Sequence, residues 1–218
     1  MRNILSDKAL TAKLLLAVFF SVGIAGMAIP ATRDRFISLT PLALILSITA
    51  LFFFHRPYSL KKEIILFVFI FLTGFFVEVI GVKTGRIFGI YKYGQGLGPL
   101  VLETPVMIGA NWALLVYCTA VIADKLGGSD FIKIISGSAI MLAYDMILEK
   151  AAPLMLMWSF EGDDIPWRNF ASWFLLAVIF HSLLKLFHIR IENRIAPFII
   201  YVQAVFFIIL IIILKFAQ

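Results

Sequence analysis

Three acidic residues lie inside long apolar segments of this chain. Glu78 follows an almost purely hydrocarbon run at residues 64–77, and Asp145 and Glu149 lie within a later apolar stretch. Residues four apart project from one face of a helix, so Asp145 and Glu149 are expected to lie side by side. Ionisable groups within membrane segments are costly and mark functional sites by default. A carboxylic acid kept protonated near neutral pH is a proton donor, so general acid catalysis is the first candidate chemistry for these three residues.

Aromatic and amide side chains accompany these acids. Aromatic faces can stabilise a developing cation. Six residues of these types are candidate substrate-binding groups: Tyr91, Tyr93, Asn111, Trp112, Asn169 and Trp173. Trp158 and Trp167 are more typical of the aromatic belt that membrane proteins place at the lipid–water interface.

Other interpretations of the polar residues are weaker or structural. Glu149 has a structural alternative, an ion pair with Lys150 or Arg168. The glycine-rich loop at 85–98 lacks the preceding strand and the spacing of a nucleotide-binding loop. Three histidines, His55, His181 and His188, are too few and too scattered for a di-iron hydroxylase, and we expect no metal site. We interpret His181 and His188 as helix-end or packing residues.

The composition identifies the class of protein. Of the 218 residues 62% are hydrophobic, and the mean hydropathy is +1.01, far above the values of soluble domains. The length predicts one transmembrane domain over residues 1–218. The net charge of +6 is explained by basic loops facing anionic membrane lipids and requires no nucleic acid. A single cysteine, Cys118, cannot form an intrachain disulfide.

Apolar runs long enough to cross a bilayer predict an all-α, polytopic helix bundle with about seven transmembrane helices. The second carries Pro41 near its start, and the nearly featureless seventh is expected to face lipid. The predicted spans are about 12–30, 36–54, 63–82, 104–123, 131–149, 170–188 and 196–215.

Seven spans place the 83–103 loop and the 150–169 loop on one side of the membrane. Four helix ends then meet there and bring the polar groups of the apolar spans to one face. Loop charges favour a cytoplasmic N-terminus, in a bacterial or archaeal cytoplasmic membrane. The sequence leaves the oligomeric state open.

A motif over about residues 75–176 resembles the membrane carotenoid biosynthesis proteins, a family that includes the γ-carotene 1′-hydratases and bisanhydrobacterioruberin hydratase. The resemblance consists of a glutamate, a glycine-rich Phe-Gly-x-Tyr-x-Tyr block, a proline-led helix with a tryptophan, an aspartate helix, and Pro-x-x-Asn-x-x-x-Trp-Phe. The matching residues are Glu78, Gly81, Gly85, Phe88, Gly89, Tyr91, Tyr93, Gly98-Pro99, Pro105, Trp112, Asp145, Trp158, Pro166, Asn169 and Trp173-Phe174.

The resemblance implies hydration of an acyclic ψ end group, in which water adds across the terminal C1,C2 double bond of a carotenoid held in the bilayer. This reaction needs no cofactor. It needs a proton donor, for which Asp145 and Glu78 are candidates, together with aromatic faces to stabilise the cation. It also needs a polar anchor for water, for which Asn169 and Asn111 are candidates. Two alternatives remain: a magnesium-dependent isoprenoid-transfer enzyme that uses Asp145 and Glu149, and a non-catalytic protein that binds or transports carotenoid or lipid.

Overall fold

The computed structural model describes residues 2–162 and 164–216, and helices dominate this part of the chain. The helices are α1 (Arg2–Ala28), α2 (Pro30–Ile37), α3 (Thr40–Phe54), α4 (Leu60–Thr84), α5 (Met107–Leu126), α6 (Asp130–Ala151), α7 (Trp167–Leu186) and α8 (Ala196–Phe216).

Six of these helices are long and apolar enough to cross a membrane, and α2 with α3 forms a pair bent by 52° that makes a seventh span if counted as one. The all-α membrane bundle is therefore confirmed. The second span was predicted as one helix over 36–54, but the structure breaks it at Ser38–Leu39. Pro41 lies in the first turn of α3. Proline lacks a backbone N–H, and its ring hinders continuation of a preceding helix, which accounts for the break there.

Helix α5 is the centre of the bundle. It is the most buried of the spans and packs against α4, α6 and α8. The prediction that the last span simply faces lipid is wrong, because α8 buries Phe206, Leu210 and Gln203 against its neighbours. A helix that is apolar on all sides carries no sequence signal for the face that packs.

Four short strands, which the all-α prediction did not include, lie in the loops. They are β1 (Tyr91–Tyr93), β2 (Leu100–Val101), β3 (Thr104–Pro105) and β4 (Trp158–Phe160). Strand β1 pairs antiparallel with β4, with Tyr91 opposite Phe160 and Tyr93 opposite Trp158. This pairing joins the α4–α5 loop to the α6–α7 loop, so both lie at one end of the bundle, as expected from seven spans.

A second polar network lies at the opposite end of α4. Glu63 is buried, and its Oε1 accepts hydrogen bonds from the backbone N–H groups of Tyr58 and Ser59, each at 2.9 Å. The His55 Nε2 lies 2.8 Å from Glu63 Oε2, and the His55 Nδ1 lies 2.9 Å from the Tyr117 hydroxyl. Asn193 Nδ2 donates to the same hydroxyl at 3.0 Å. We call this set the Glu63 network. It connects α4, α5 and the segment before α8, and its members are His55, Tyr58, Ser59, Glu63, Tyr117 and Asn193.

His55 and His181 pack inside the bundle, and His188 is exposed just after the end of α7. His181 is buried, and its ring nitrogens lie within hydrogen-bond distance of the Thr119 hydroxyl and the Ala177 carbonyl oxygen. His55 belongs to the Glu63 network. Both rings pack between helices at the end of the bundle away from Glu78.

Candidate active site

Glu78 lies six residues before the end of α4 and is surrounded by hydrogen-bond donors. The Tyr91 and Tyr93 hydroxyls donate to its Oε2 at 2.6 and 2.8 Å. The Trp112 Nε1–H donates to its Oε1 at 3.0 Å. Two donors come from β1 and one from α5, so the loop after α4 folds back onto the carboxylate that precedes it. Glu78 is therefore a fully coordinated acceptor.

Glu149 has a similar environment near the end of α6. The Trp158 Nε1–H donates to its Oε2 at 2.8 Å, and the Asn169 Nδ2–H donates to its Oε1 at 2.7 Å. The alternative ion pair with Lys150 or Arg168 is not formed, since Arg168 instead donates to the Gly85 carbonyl oxygen. Neutral donors inside the bundle hold Glu149, and surface cations do not.

Asp145 differs from both glutamates because neither of its carboxyl oxygens has a hydrogen-bond partner in the described part of the chain. Its side chain is fully buried. Glu149 lies one helical turn further along α6, and both Glu149 and Glu78 lie within electrostatic reach of Asp145. An ionised carboxylate without a hydrogen bond in such a place is strongly unfavourable. The geometry therefore suits a neutral acid.

Each of the two helices carries its acid at the same distance from its own C-terminal end. Glu78 lies six residues before Thr84 at the end of α4, and Asp145 lies six residues before Ala151 at the end of α6. At a rise of 1.5 Å per residue each is about 9 Å from its helix end. The structure thus brings together the acids and the aromatic groups that the sequence placed at one face of the bundle.

A stacked tryptophan pair lies beside the acids. The rings of Trp112 and Trp173 are 3.9 Å apart between centroids and 17° from parallel. Gly74 of α4 permits this arrangement, because a Cβ there would lie 2.8 Å from the Trp112 side chain. The stack fixes Trp112 so that its N–H points at Glu78, while Trp173 lines a small pocket between the two glutamates.

That small pocket, which we call the carboxylate pocket, is lined by both glutamates, both tyrosines, Asn169 and five aromatic or apolar side chains. Its volume is about 10 Å³, close to the smallest space that holds one water molecule. Two carboxylates and a carboxamide supply the polar partners that a buried water requires.

A larger cavity of about 330 Å³ lies on the other side of Trp158, which lines both spaces. We call it the apolar cavity. It is bounded by α1, α2, α3, α5, α6 and α8. Asn111, expected to anchor water beside the acids, lines this cavity instead of the carboxylate pocket. Asp145 lines neither space, but it lies between Tyr144 and Glu149, which line one each.

The Tyr91 and Tyr93 hydroxyls remain hydrogen-bond donors to Glu78 over a wide range of pH. Burial, and next the negative charge of Glu78, raise the pKa of both Tyr91 and Tyr93 above the usual value for tyrosine. Both hydroxyls therefore keep their protons, and their hydrogen bonds to Glu78, throughout the physiological pH range.

Trp158 is the residue that the sequence interpretation misplaced. It was assigned to the interfacial belt, but it is buried and donates to Glu149. Trp167, by contrast, is 79% exposed, as a belt residue would be. Residues 158–160 are too few for a periodic strand signal, so the sequence does not separate the two tryptophans.

No group of three His, Cys, Asp or Glu side chains within residues 2–162 and 164–216 is arranged to hold a metal ion. Aromatic N–H groups and the Asn169 carboxamide donate to two of the three acids of the site.

Comparisons with known proteins identify the family. The family model described as carotenoid biosynthesis protein matches residues 39–218, which is most of the chain. Bisanhydrobacterioruberin hydratase of Haloarcula japonica is 29% identical over 112 residues, which cover 48% of this chain and 38% of that protein. The alignment with this relative thus spans less than half of either protein. No solved structure matches the chain. With its membrane-spanning helices and its family match over residues 39–218, this chain belongs to the carotenoid biosynthesis protein family.

Proposed function

We propose that this chain is an enzyme that hydrates a carotenoid, adding water across the terminal C1,C2 double bond of an acyclic ψ end group to give a tertiary alcohol. Family membership supports a role in carotenoid biosynthesis, and the similarity to a hydratase supports this reaction type. The observation that carries the proposal is Asp145, a buried acid without a hydrogen-bond partner among the described residues, near two donor-bound glutamates and a water-sized pocket.

Asp145 is the proton donor in this mechanism. Its carboxylic acid transfers a proton to C2, and the electrons of the C1,C2 double bond form the new C–H bond. The positive charge is left on C1, a tertiary centre, where the face of Trp173 stabilises it. Positioned general acids contribute about 10²–10⁴-fold to rates.

The two glutamates bind the attacking water and accept its proton. A water molecule in the carboxylate pocket attacks C1, forms the C–O bond and loses one proton to Glu149, either directly or through Glu78. Glu149, four residues from Asp145, then returns a proton to it, so that the cycle consumes only water. Tyr91, Tyr93 and Trp112 hold Glu78 in place, and Trp158 and Asn169 hold Glu149.

Pigment analysis tests this function. The chain is expressed in a cell that makes lycopene or γ-carotene, and the pigments are separated by chromatography and weighed by mass spectrometry. We expect a product heavier by one water, absent from cells with the empty vector. Unchanged pigments, with the chain present in the membrane, would contradict hydration.

The same experiment separates the two alternatives. A magnesium-dependent isoprenoid transfer would lengthen the substrate and stop when the metal is chelated. A non-catalytic binding protein would co-purify with unmodified carotenoid. Hydration predicts instead a product that forms equally well in membranes treated with a chelator.

A further inference from the structure

We propose that the apolar cavity binds the terminal segment of an acyclic polyene, entering from the lipid between α1 and the bend that joins α2 to α3. This proposal rests on the proposed function, since it places the chain of the substrate relative to the acids. The cavity is otherwise unassigned, and three features of its walls support this occupant.

The first feature is continuity with the carboxylate pocket. Trp158 lines both spaces, with its N–H on Glu149 in one and its ring in the wall of the other. Tyr144 and Leu148 of α6 line the apolar cavity on either side of Asp145. The Trp158 side chain therefore stands between the inner end of this cavity and the carboxylate pocket, and the end group of a bound polyene has to displace it to contact the acids.

The second feature is chemical. The cavity surface is almost entirely apolar, and its volume of about 330 Å³ lies at the lower end of the range for ligand pockets. The polar groups Tyr144 and Gln203 in its wall satisfy each other, with the tyrosine hydroxyl donating to the Gln203 Oε1 at 2.8 Å. Such a surface suits a hydrocarbon chain and not a charged headgroup.

The third feature is Asn111. Its side chain is more than nine-tenths buried, and no described residue forms a hydrogen bond with it. Buried carboxamides are normally paired, so an unpaired one at a cavity wall indicates a ligand or water within the cavity. At the inner end of a polyene site, this carboxamide is placed to meet the hydroxyl group of a hydrated end.

The mouth of the cavity explains how a long molecule enters. Val22 of α1 and Leu39 at the bend both line the cavity, yet they are 53% and 44% exposed. The cavity therefore opens through the side of the bundle. A polyene about as long as the ~30 Å hydrocarbon core would place one end inside and leave the remainder in lipid.

Filling the cavity tests this placement. Ala43 of α3 lines the apolar cavity, and Ala43→Phe adds a ring to its interior. Ala50 is one heptad further along the same helix, is equally half-buried, and lines a different cavity. Ala50→Phe is therefore the matched control. Gly23→Leu, in which the new side chain faces Phe206 across the cavity wall, blocks the same space from α1.

Two quantities are measured on purified full-length protein: polyene retained per protein, from visible absorbance, and hydrated product. We expect the Ala43→Phe and Gly23→Leu variants to lose about tenfold in both, the size of an overpacking penalty, and Ala50→Phe to match the wild type. Wild-type retention and conversion in either cavity-filling variant would overturn the proposal even if the wild type hydrates carotenoid.

The two proposals fail in different ways. If the wild type retains polyene, the filled variants do not, and no hydrated product forms, the proposed function fails while the binding site stands. A structure of the wild-type chain with a bound acyclic polyene decides the site without any variant. Density in the apolar cavity would support it, and density elsewhere would overturn it.

Discussion

Helix α4 carries a buried glutamate near each end, and the two sites differ in whether a neighbouring acid lacks a hydrogen-bond donor. Glu63 and Glu78 are fifteen residues apart, about 22 Å along the helix. Glu63 belongs to a closed network in which backbone amides and His55 satisfy its oxygens. Glu78 is also satisfied, but the cluster around it includes Asp145, which has no partner among the described residues.

If the proposed mechanism holds, burial alone does not distinguish a structural acid from a reactive one. Both ends contain acids that are almost completely buried. What differs is whether every oxygen has a donor. A closed network holds helices in position, whereas an acid without a donor, beside a water-sized space, has a proton available for transfer.

The strongest test of this comparison exchanges one acid at each end for its amide. Asp145→Asn keeps the size and removes the proton donor, so we expect hydration to fall by at least about 100-fold. Glu63→Gln is the matched variant, and its product per protein should stay within about twofold of wild type, a change smaller than 1.4 kcal/mol. Both are measured as hydrated pigment divided by membrane-bound protein. Equal losses in the two variants would remove the distinction between the ends.

The tyrosine pair sharpens the comparison within the site. Tyr91→Phe and Tyr93→Phe each remove one donor from Glu78 Oε2 while keeping the ring, and a hydrogen bond to a charged group contributes about 1.5–3 kcal/mol. We expect each variant to lose about tenfold in hydration. Because both donors share one oxygen, the double variant should lose less than the product of the single losses. Strictly multiplicative losses would argue that the two tyrosines act independently.

Trp158→Phe tests the connection between the two cavities. It removes the donor to Glu149 and keeps most of the aromatic wall, so we expect a loss of up to about tenfold in hydration with little change in retained polyene. Trp167→Phe, at an exposed position, is the control and should behave as wild type. A Trp158→Phe variant with full activity would show that Glu149 needs no positioning.

The smallest effect on hydration is expected for changes in the Glu63 network, at the end of α4 away from Glu78. Glu63→Ala leaves three donors without an acceptor and should lower the free energy of unfolding by about 1–3 kcal/mol. Thermal unfolding in detergent measures this change. Product per folded protein should remain at the wild-type level, and a selective loss of activity would mean that the Glu63 network is coupled to the reaction.

The sequence predicts the helices of this fold well because hydrocarbon runs of bilayer length have few alternatives. It also predicts the gathering of Glu78, Asp145 and Glu149 at one end, since that follows from counting spans. The bend at Ser38–Leu39 was missed because a proline in an apolar run is compatible with either a continuous or a broken span. The role of these residues in catalysis remains a prediction.

The features that the sequence did not predict depend on tertiary contacts. Strands β1 and β4 are three residues each, too short for a periodic signal, and they form because their loops face each other across the bundle. Trp158 has the same composition signal as the exposed Trp167, and only the neighbouring Glu149 separates them. The Glu63 network joins residues as far apart as His55 and Asn193, a distance that no local pattern reports.

The break between α2 and α3 bears on how a substrate would enter and leave the apolar cavity. A lateral opening at this break, as proposed for the apolar cavity, would let one end of a carotenoid be modified while the rest stays in the lipid. Because the cavity would hold only one end at a time, a carotenoid with two reactive ends would have to dissociate and rebind before its second end is modified. Singly modified intermediates should therefore accumulate early in a time course, ahead of the doubly modified product.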